Sequence, residues 1–146
     1  MDFIVRDRES VEAGIIVTSS YVLISIRDPD KRKVWIPKQS GLRDVLRLEF
    51  HDAEPADNFT FPEHIMLMTE DQARQAWSFV RKWENQVGAV VVHCEQGMSR
   101  SPAMAAALCK GMGGDDGPFW REYMPNEFVY RLMLDCQFGS DKEPKP

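Results

Sequence analysis

The apolar residues of this chain fall into short runs and alternating patterns that predict strands. Residues 21–26 and 89–92 are mostly aliphatic, which is typical of strands buried on both faces of a sheet. Residues 45–50 carry apolar side chains at every second position, which predicts a strand with one buried face. The short segment 3–5 is predicted to form a first strand at the edge of the sheet.

Other segments show the spacing and the capping residues of helices. Residues 7–13 predict a short helix with acidic residues at its start. Thr69 and Gln72 have the spacing of a capping box, and apolar residues follow at helical intervals, namely Ala73, Ala76, Trp77, Val80 and Trp83. Asn126 is predicted to cap a last helix that carries Phe128, Val129, Leu132 and Leu134. Because strands alternate with helices, we predict an α/β layer structure.

Segments without a clear period separate these elements. Residues 28–41 contain Pro, Gly and many charges and are interpreted as a loop, and residues 111–117 as a glycine- and aspartate-rich break. Residues 51–68 are long for an unstructured connection, which favours a functional lid. We expect residues 1–139 to form one domain, and the polar residues 140–146 to be a disordered tail.

Composition and charge narrow the class of protein. The chain is 43% hydrophobic and 28% charged, which is the balance of a globular domain. Its apolar runs are too short to span a membrane, and neither a membrane span nor a secretory leader is expected. Its three cysteines show no framework spacing, so a reducing compartment, the cytoplasm, is expected. A net charge of −5 argues against a nucleic acid or an anionic membrane as partner.

Residues 93–101, His-Cys-Glu-Gln-Gly-Met-Ser-Arg-Ser, carry the strongest chemical signal in the chain. They follow the aliphatic run 89–92 and precede an alanine-rich segment with proline near its start, so we expect strand, tight loop and helix. A loop of this kind directs backbone N–H groups at one point and places the positive end of a helix dipole beside it. That point suits a phosphate dianion, and it also suits a thiolate.

The side chains of this loop are those that nucleophilic catalysis needs. Cys94 would attack as a thiolate, a form that the surrounding N–H groups and Arg100 favour. Arg100 can hold two phosphate oxygens with its planar guanidinium, and Gly97 permits a left-handed backbone close to the ligand. Ser101 can offer its hydroxyl to the sulfur when a phosphoenzyme hydrolyses. His93 is expected to orient the backbone of the cysteine.

The loop resembles the signature loop of the cysteine-dependent protein tyrosine phosphatases, in the small dual-specificity-like branch that includes compact bacterial members. Residues 124–128, Met-Pro-Asn-Glu-Phe, followed by Leu132, resemble the start of that branch's last helix. The resemblance implies a single-domain, three-layer phosphatase-like fold, with a central, mostly parallel sheet flanked by helices. It also implies phosphomonoester hydrolysis through a phosphocysteine, with no metal and no cofactor. The implied substrate-binding positions are Glu95, Gln96, Gly97, Met98, Ser99 and Arg100.

A general acid must protonate the leaving oxygen, and in the resembled family an aspartate upstream of the cysteine does so. Asp52 follows the predicted strand over residues 45–50, where the family's acid usually lies. Asp57 lies in the same segment and is the alternative. Sequence alone does not choose between these two carboxyl groups.

The expected substrate is a phosphorylated protein or a small phosphomonoester. Glu95, Gln96 and Met98 add no positive charge to the loop, which disfavours polyphosphorylated inositols and RNA 5′ ends. Two alternatives remain open: a phosphate-binding interaction module with weak turnover on the same fold, and a thiolate sulfurtransferase or arsenate reductase. The position of Cys94, far from the start of the chain, counts against an arsenate reductase. The three histidines do not form a metal-ligand pattern, so no metal site is predicted.

Overall fold

Strands and helices alternate along the chain, as the apolar pattern predicts. A computed structural model describes residues 1–55 and 61–138. Its strands are β1 (Asp2–Asp7), β2 (Tyr21–Arg27), β3 (Leu42–Glu49) and β4 (Ala89–Cys94). Its helices are α1 (Arg8–Ala13), α2 (Glu70–Trp83), α3 (Arg100–Gly111), α4 (Gly117–Glu122) and α5 (Glu127–Asp135).

The strands form one parallel sheet in the order β1-β4-β2-β3. The segment 3–5 therefore lies in an edge strand, as predicted, and the aliphatic strand β4 lies between two neighbours. In register, Cys94 is opposite Asp7 of β1, and His93 is opposite Ser25 of β2. Because all four strands run the same way, the residues that follow each of them meet at one edge of the sheet.

The two faces of the sheet bury different sets of residues, which makes three layers. One face packs against α2, α3 and α5 around the fully buried Trp77 and Met104. The other face is covered by α1 and by the segment after β2, through Val11 and Val34. Successive residues of β4 point to opposite faces, so Val90 and Val91 belong to different clusters. The predicted α/β architecture with flanking helices is confirmed.

Capping residues correctly predicted where α2 and α5 begin. Thr69 and Gln72 form the predicted capping box, and the Asn126 side chain accepts a hydrogen bond from Val129 N. The prediction missed α4. The glycines and aspartates of residues 111–117 indicate a break, but a helix begins at the last of these residues, Gly117, and has proline in its first turn. In α5 the buried residues are Val129, as predicted, and Met133, whereas the predicted Phe128, Leu132 and Leu134 are only partly buried.

Two expectations fall outside the part of the chain that the structure describes. These are the disordered tail over residues 140–146 and the middle of the predicted lid, which includes Asp57. Within the described ranges, no helix has the length and apolar character needed to cross a bilayer.

Candidate active site

Cys94 ends the central strand β4 and opens the loop that leads into α3. Only 3% of the residue is exposed, yet it lines a cleft of about 600 Å³. Its Sγ lies 3.1 Å from Ser101 Oγ, in the first turn of α3. The strand and the helix thus place Cys94 in the wall of the cleft, with a hydroxyl beside its sulfur.

Three carbonyl groups of the loop backbone are hydrogen-bonded to other segments of the protein. The carbonyl oxygens of Glu95, Met98 and Ser99 accept hydrogen bonds from the backbone N–H groups of Arg8, Met124 and Asn126 at 3.2, 3.0 and 3.0 Å. In contrast, the N–H groups of residues 96–99 donate to no atom of the described part of the chain. A tight turn with bonded carbonyls and unbonded amides has the composition of an anion-binding nest.

Gly97 is required by both the conformation and the packing of this loop. Its φ of 69° lies in the left-handed region, which other residues adopt at a cost. A Cβ at this position would lie 3.0 Å from the carbonyl carbon and oxygen of Arg6, too close for an ordinary contact. The loop can therefore pack against the junction of β1 and α1 only with glycine here.

Arg100 is held in place at one nitrogen of its guanidinium. The residue is 4% exposed, and its Nη1 donates to Asp28 Oδ1 at 2.7 Å and to the Phe50 carbonyl at 2.6 Å. Among the described residues, Arg100 Nε is the one buried side-chain nitrogen or oxygen atom without a partner. An unpartnered buried N–H of a guanidinium at an amide-rich loop is what a bound oxyanion would satisfy.

His93 lies beneath the cysteine with no exposed surface. Its Nδ1 lies 3.1 Å from the Cys94 carbonyl oxygen, and its Nε2 lies 2.6 Å from Ser25 Oγ. Burial lowers the pKa of His93, so the ring is neutral, with Nδ1–H donating to the carbonyl and Nε2 accepting from the hydroxyl. The contact with the Cys94 backbone is the one expected for an orienting residue.

Asp52 contacts the loop between β4 and α3 through Ser99. Its Oδ1 accepts hydrogen bonds from Ser99 Oγ at 2.9 Å and from Asn126 Nδ2 at 2.8 Å, and the residue lines the cleft. Both bonds go to one carboxyl oxygen, which leaves Oδ2 without a partner among the described residues. Asp57, the alternative acid, lies outside the described residues.

Sequence reasoning missed three residues that support the site: Arg8, Asp28 and Asn126. Asp28 follows β2, and the rule that sites form at the carboxyl ends of parallel strands could have suggested it. Asn126 was predicted as a helix cap, but its amide nitrogen also binds Asp52. Nothing in the local sequence connects Arg8 with the site, because its local partner is Glu12 while Glu95 lies 87 positions away.

The remaining wall of the cleft is formed after β2 and β3, by residues that include Lys31, His51, Glu54, Phe61 and Ile65. His51 joins these segments, because Met66 N–H donates to its Nδ1 at 3.0 Å and its Nε2 lies 3.1 Å from Asp30 Oδ1. Within the described ranges, no group of three or more His, Cys, Asp or Glu residues is arranged to hold a metal ion.

Solved structures that superpose on this chain include phosphatases and a phosphatase-like protein. Human DUSP28 superposes with a TM-score of 0.57 at 14% identity, over 95% of this chain and 93% of that one. The human tyrosine phosphatase-like serine/threonine/tyrosine-interacting protein superposes with a TM-score of 0.54 at 18% identity, over 80% of this chain and 76% of that one. The chain has the dual-specificity phosphatase fold.

A third structure with this phosphatase fold is PTPMT1 in complex with PI(5)P, with a TM-score of 0.50 at 15% identity over 80% of this chain and 76% of that one. Neither a protein-family model nor a curated protein sequence matches the chain. The comparisons confirm the predicted phosphatase-like fold, whereas the predicted bacterial-type branch stays a prediction. At these identities the comparisons show the phosphatase fold alone.

Proposed function

We propose that this protein is a phosphatase that hydrolyses phosphomonoesters through a phosphocysteine at Cys94. The observation that carries the proposal is the anion-binding composition of one loop. The N–H groups of residues 96–99 and the buried Nε of Arg100 have no partner in the described part of the chain, and Cys94 lines the same cleft. Phosphate dianions bind where amides and a guanidinium are arranged in advance of binding.

In the first chemical step, the Cys94 thiolate attacks phosphorus, the S–P bond forms and the bond to the leaving oxygen breaks. Arg100 and the loop amides bind the equatorial oxygens, whose charge is spread in the transition state. Asp52 supplies the proton to the leaving oxygen from Oδ2. The Oδ1 contacts with Ser99 and Asn126 hold the carboxyl group in place while this happens.

In the second step, water attacks the phosphocysteine and releases orthophosphate and the thiolate. The Asp52 carboxylate takes the proton of the attacking water, which returns the acid to its starting form. Ser101 Oγ, 3.1 Å from Cys94 Sγ, donates a hydrogen bond to the departing thiolate and keeps its proton. His93 orients the Cys94 carbonyl and takes no proton, because burial keeps its ring neutral.

Phosphotyrosine in a protein is the proposed substrate, with phosphoserine or phosphothreonine as further candidates. Acidic residues line the cleft, and two of them, Asp28 and Glu95, are neutralised by Arg100 and Arg8. Among the described lining residues, the carboxyl groups of Asp52 and Glu54 then face one further cation, Lys31. This balance accepts one phosphate at the loop but disfavours a ligand with several phosphates. Although PTPMT1 binds PI(5)P, we rank such lipids below phosphoproteins here.

A binding module without turnover is the second candidate, because one structural neighbour is named as a phosphatase-like interacting protein. The hydrogen bond from Ser99 to Asp52 favours turnover, since it brings a carboxyl group to the phosphate loop. A sulfurtransferase would use the same thiolate without needing this acid.

The experiment measures hydrolysis of p-nitrophenyl phosphate and of phosphotyrosyl, phosphoseryl and phosphothreonyl peptides. We expect turnover with competitive inhibition by vanadate, and acid quenching should trap a phosphorylated protein. Cys94→Ser should abolish both turnover and trapping but keep vanadate binding. Cys109→Ser removes a thiol outside the cleft and is the matched control.

Turnover by the Cys94→Ser variant would contradict the proposal. Vanadate binding without hydrolysis by the wild-type protein would favour the binding module. Transfer of sulfur from thiosulfate to cyanide, with no hydrolysis of phosphate esters, would favour the sulfurtransferase.

A further inference from the structure

Arg8, the first residue of α1, is tied to the phosphate loop although it lies outside it. It is 8% exposed, and each nitrogen of its guanidinium has a partner. Nη1 donates to Glu95 Oε2 at 3.0 Å and Nε donates to Glu12 Oε2 at 3.3 Å. Nη2 donates to the carbonyl oxygens of Arg32 and Lys33 at 2.7 and 3.2 Å. A guanidinium bonded at all three nitrogens has one orientation.

The position of Glu95 makes this contact chemically important. Glu95 directly follows Cys94 and lines the same cleft. A carboxylate beside a thiolate and a phosphate dianion disfavours both, because like charges in a poorly solvated site repel. The side chains of Arg8 and Glu95 are only 10% and 17% exposed, so water screens this charge weakly.

Carboxylate and guanidinium groups alternate along this network, in the order Glu95, Arg8, Glu12 and Arg32. Glu12 accepts from both Arg8 and Arg32, and the Arg32 hydrogen bond lowers the pKa of Glu12 to about 2. Each guanidinium is thus matched by a carboxylate, and within the described residues the ion pair of Glu95 is with Arg8. Loss of Arg8 would leave the Glu95 charge without a counter-charge beside the nucleophile.

We propose that Arg8 is a positioning residue of the catalytic loop, which acts through Glu95 by offsetting its negative charge beside Cys94. This inference rests on the proposed phosphatase function. The backbone N–H of Arg8 also donates to the Glu95 carbonyl, and that bond survives any change of the Arg8 side chain. The charge of Arg8 can therefore be tested while this backbone attachment of the loop is kept.

The experiment compares Arg8→Gln, Glu95→Gln and the double variant. Arg8→Gln should lower kcat/KM for p-nitrophenyl phosphate and weaken competitive inhibition by orthophosphate. Each effect should be about tenfold, which corresponds to a free energy of about 1.4 kcal/mol. Arg8→Gln/Glu95→Gln should recover both values to within roughly threefold of the wild-type protein, because the uncompensated carboxylate is gone. A purely structural role of Arg8 predicts no such recovery.

Arg32→Gln is the matched control. It removes a guanidinium from the same network, but from the outer end, where the Arg32 side chain is 67% exposed and pairs with Glu12. We expect kcat/KM and orthophosphate inhibition to stay within roughly twofold of the wild-type values, as for an exposed ion pair. Equal losses in Arg32→Gln and Arg8→Gln would overturn the specific role of Arg8.

Glu95→Gln keeps the inference testable if Arg8→Gln does not fold. Removing the carboxylate should tighten orthophosphate inhibition a few-fold, because one negative charge beside the bound anion is gone. Weaker inhibition in Glu95→Gln, or a double variant that folds but stays as impaired as Arg8→Gln, would overturn the proposal.

The two proposals fail in different ways. Absence of turnover in the wild-type protein would remove the phosphatase function, and the Arg8 inference would then be judged by vanadate affinity measured by calorimetry on the same variants. Unchanged vanadate affinity in Arg8→Gln would overturn the inference even if the wild-type protein is an active phosphatase. A wild-type protein that neither hydrolyses phosphate esters nor binds vanadate would overturn both.

Discussion

Asn126 Nδ2 donates a hydrogen bond to Asp52 Oδ1 across 2.8 Å, although 74 positions of sequence separate the two residues. Asn126 is 1% exposed, and its own Oδ1 accepts from Val129 N to cap α5. Its backbone N–H donates to the Ser99 carbonyl at 3.0 Å. One residue therefore joins the last helix, the phosphate loop and the candidate general acid.

Asn126→Asp should separate these roles. Aspartate also caps helices, so the fold should be largely kept, but its carboxylate cannot donate to Asp52 and would repel it. We expect kcat/KM for phenyl phosphate to fall by roughly tenfold or more, since hydrogen bonds to charged groups contribute about 1.5–3 kcal/mol. Steady-state kinetics and a thermal melt check this. Unchanged kinetics in a folded variant would mean that the contact does not position Asp52.

Asp52→Asn tests which carboxyl group is the general acid. A missing acid matters most when the leaving oxygen is basic, so the loss should be roughly a hundredfold for phenyl phosphate and much smaller for p-nitrophenyl phosphate. Asp57→Asn is the matched comparison, from the same segment. If Asp57→Asn shows the leaving-group dependence and Asp52→Asn does not, the assignment passes to Asp57.

Asp28→Ala should loosen Arg100. The variant removes the carboxylate that accepts from Arg100 Nη1 at 2.7 Å and leaves only the Phe50 carbonyl at that nitrogen. Breaking a largely buried ion pair costs about 3–5 kcal/mol at most, so we expect a lower melting temperature together with a kcat/KM reduced by roughly tenfold or more. Asp30→Ala is the control, because the Asp30 side chain is 71% exposed and binds His51 instead. Equal effects of the two variants would show that Asp28 has no particular role in positioning Arg100.

The buried ring of His93 should make the free energy of unfolding depend on pH. Burial lowers its pKa in the folded state, whereas in the unfolded chain the ring titrates near its ordinary value of about 6.5. The unfolded state therefore binds more protons as the pH falls below about 6.5, and the free energy of unfolding should decrease by up to about 1.4 kcal/mol per pH unit from this group. Urea titrations at about pH 7.5 and about pH 5.5 measure the slope.

His93→Gln should reduce that slope, while His64→Gln, at an exposed position, should leave most of it. A slope that is unchanged in His93→Gln would show that another group is responsible for the acid sensitivity.

Much of the site is local in the chain and was accessible from the sequence. The aliphatic residues of β4, the glycine at 97 and the small residues after Ser101 specify strand, turn and helix without help from distant segments. That unit alone places Cys94 and Arg100 at the same turn. The capping box at Thr69 was equally local, since its hydrogen bonds span three residues.

The supporting contacts depend on the tertiary structure. Arg8 meets Glu95 across 87 positions, and Asp28 meets Arg100 across 72. Periodicity reports that a side chain is buried or polar, but it does not report the partner, because the partner is set by strand order in the sheet. The parallel order β1-β4-β2-β3 brings the ends of distant strands to one edge, and this order decided which charged residues surround the cysteine.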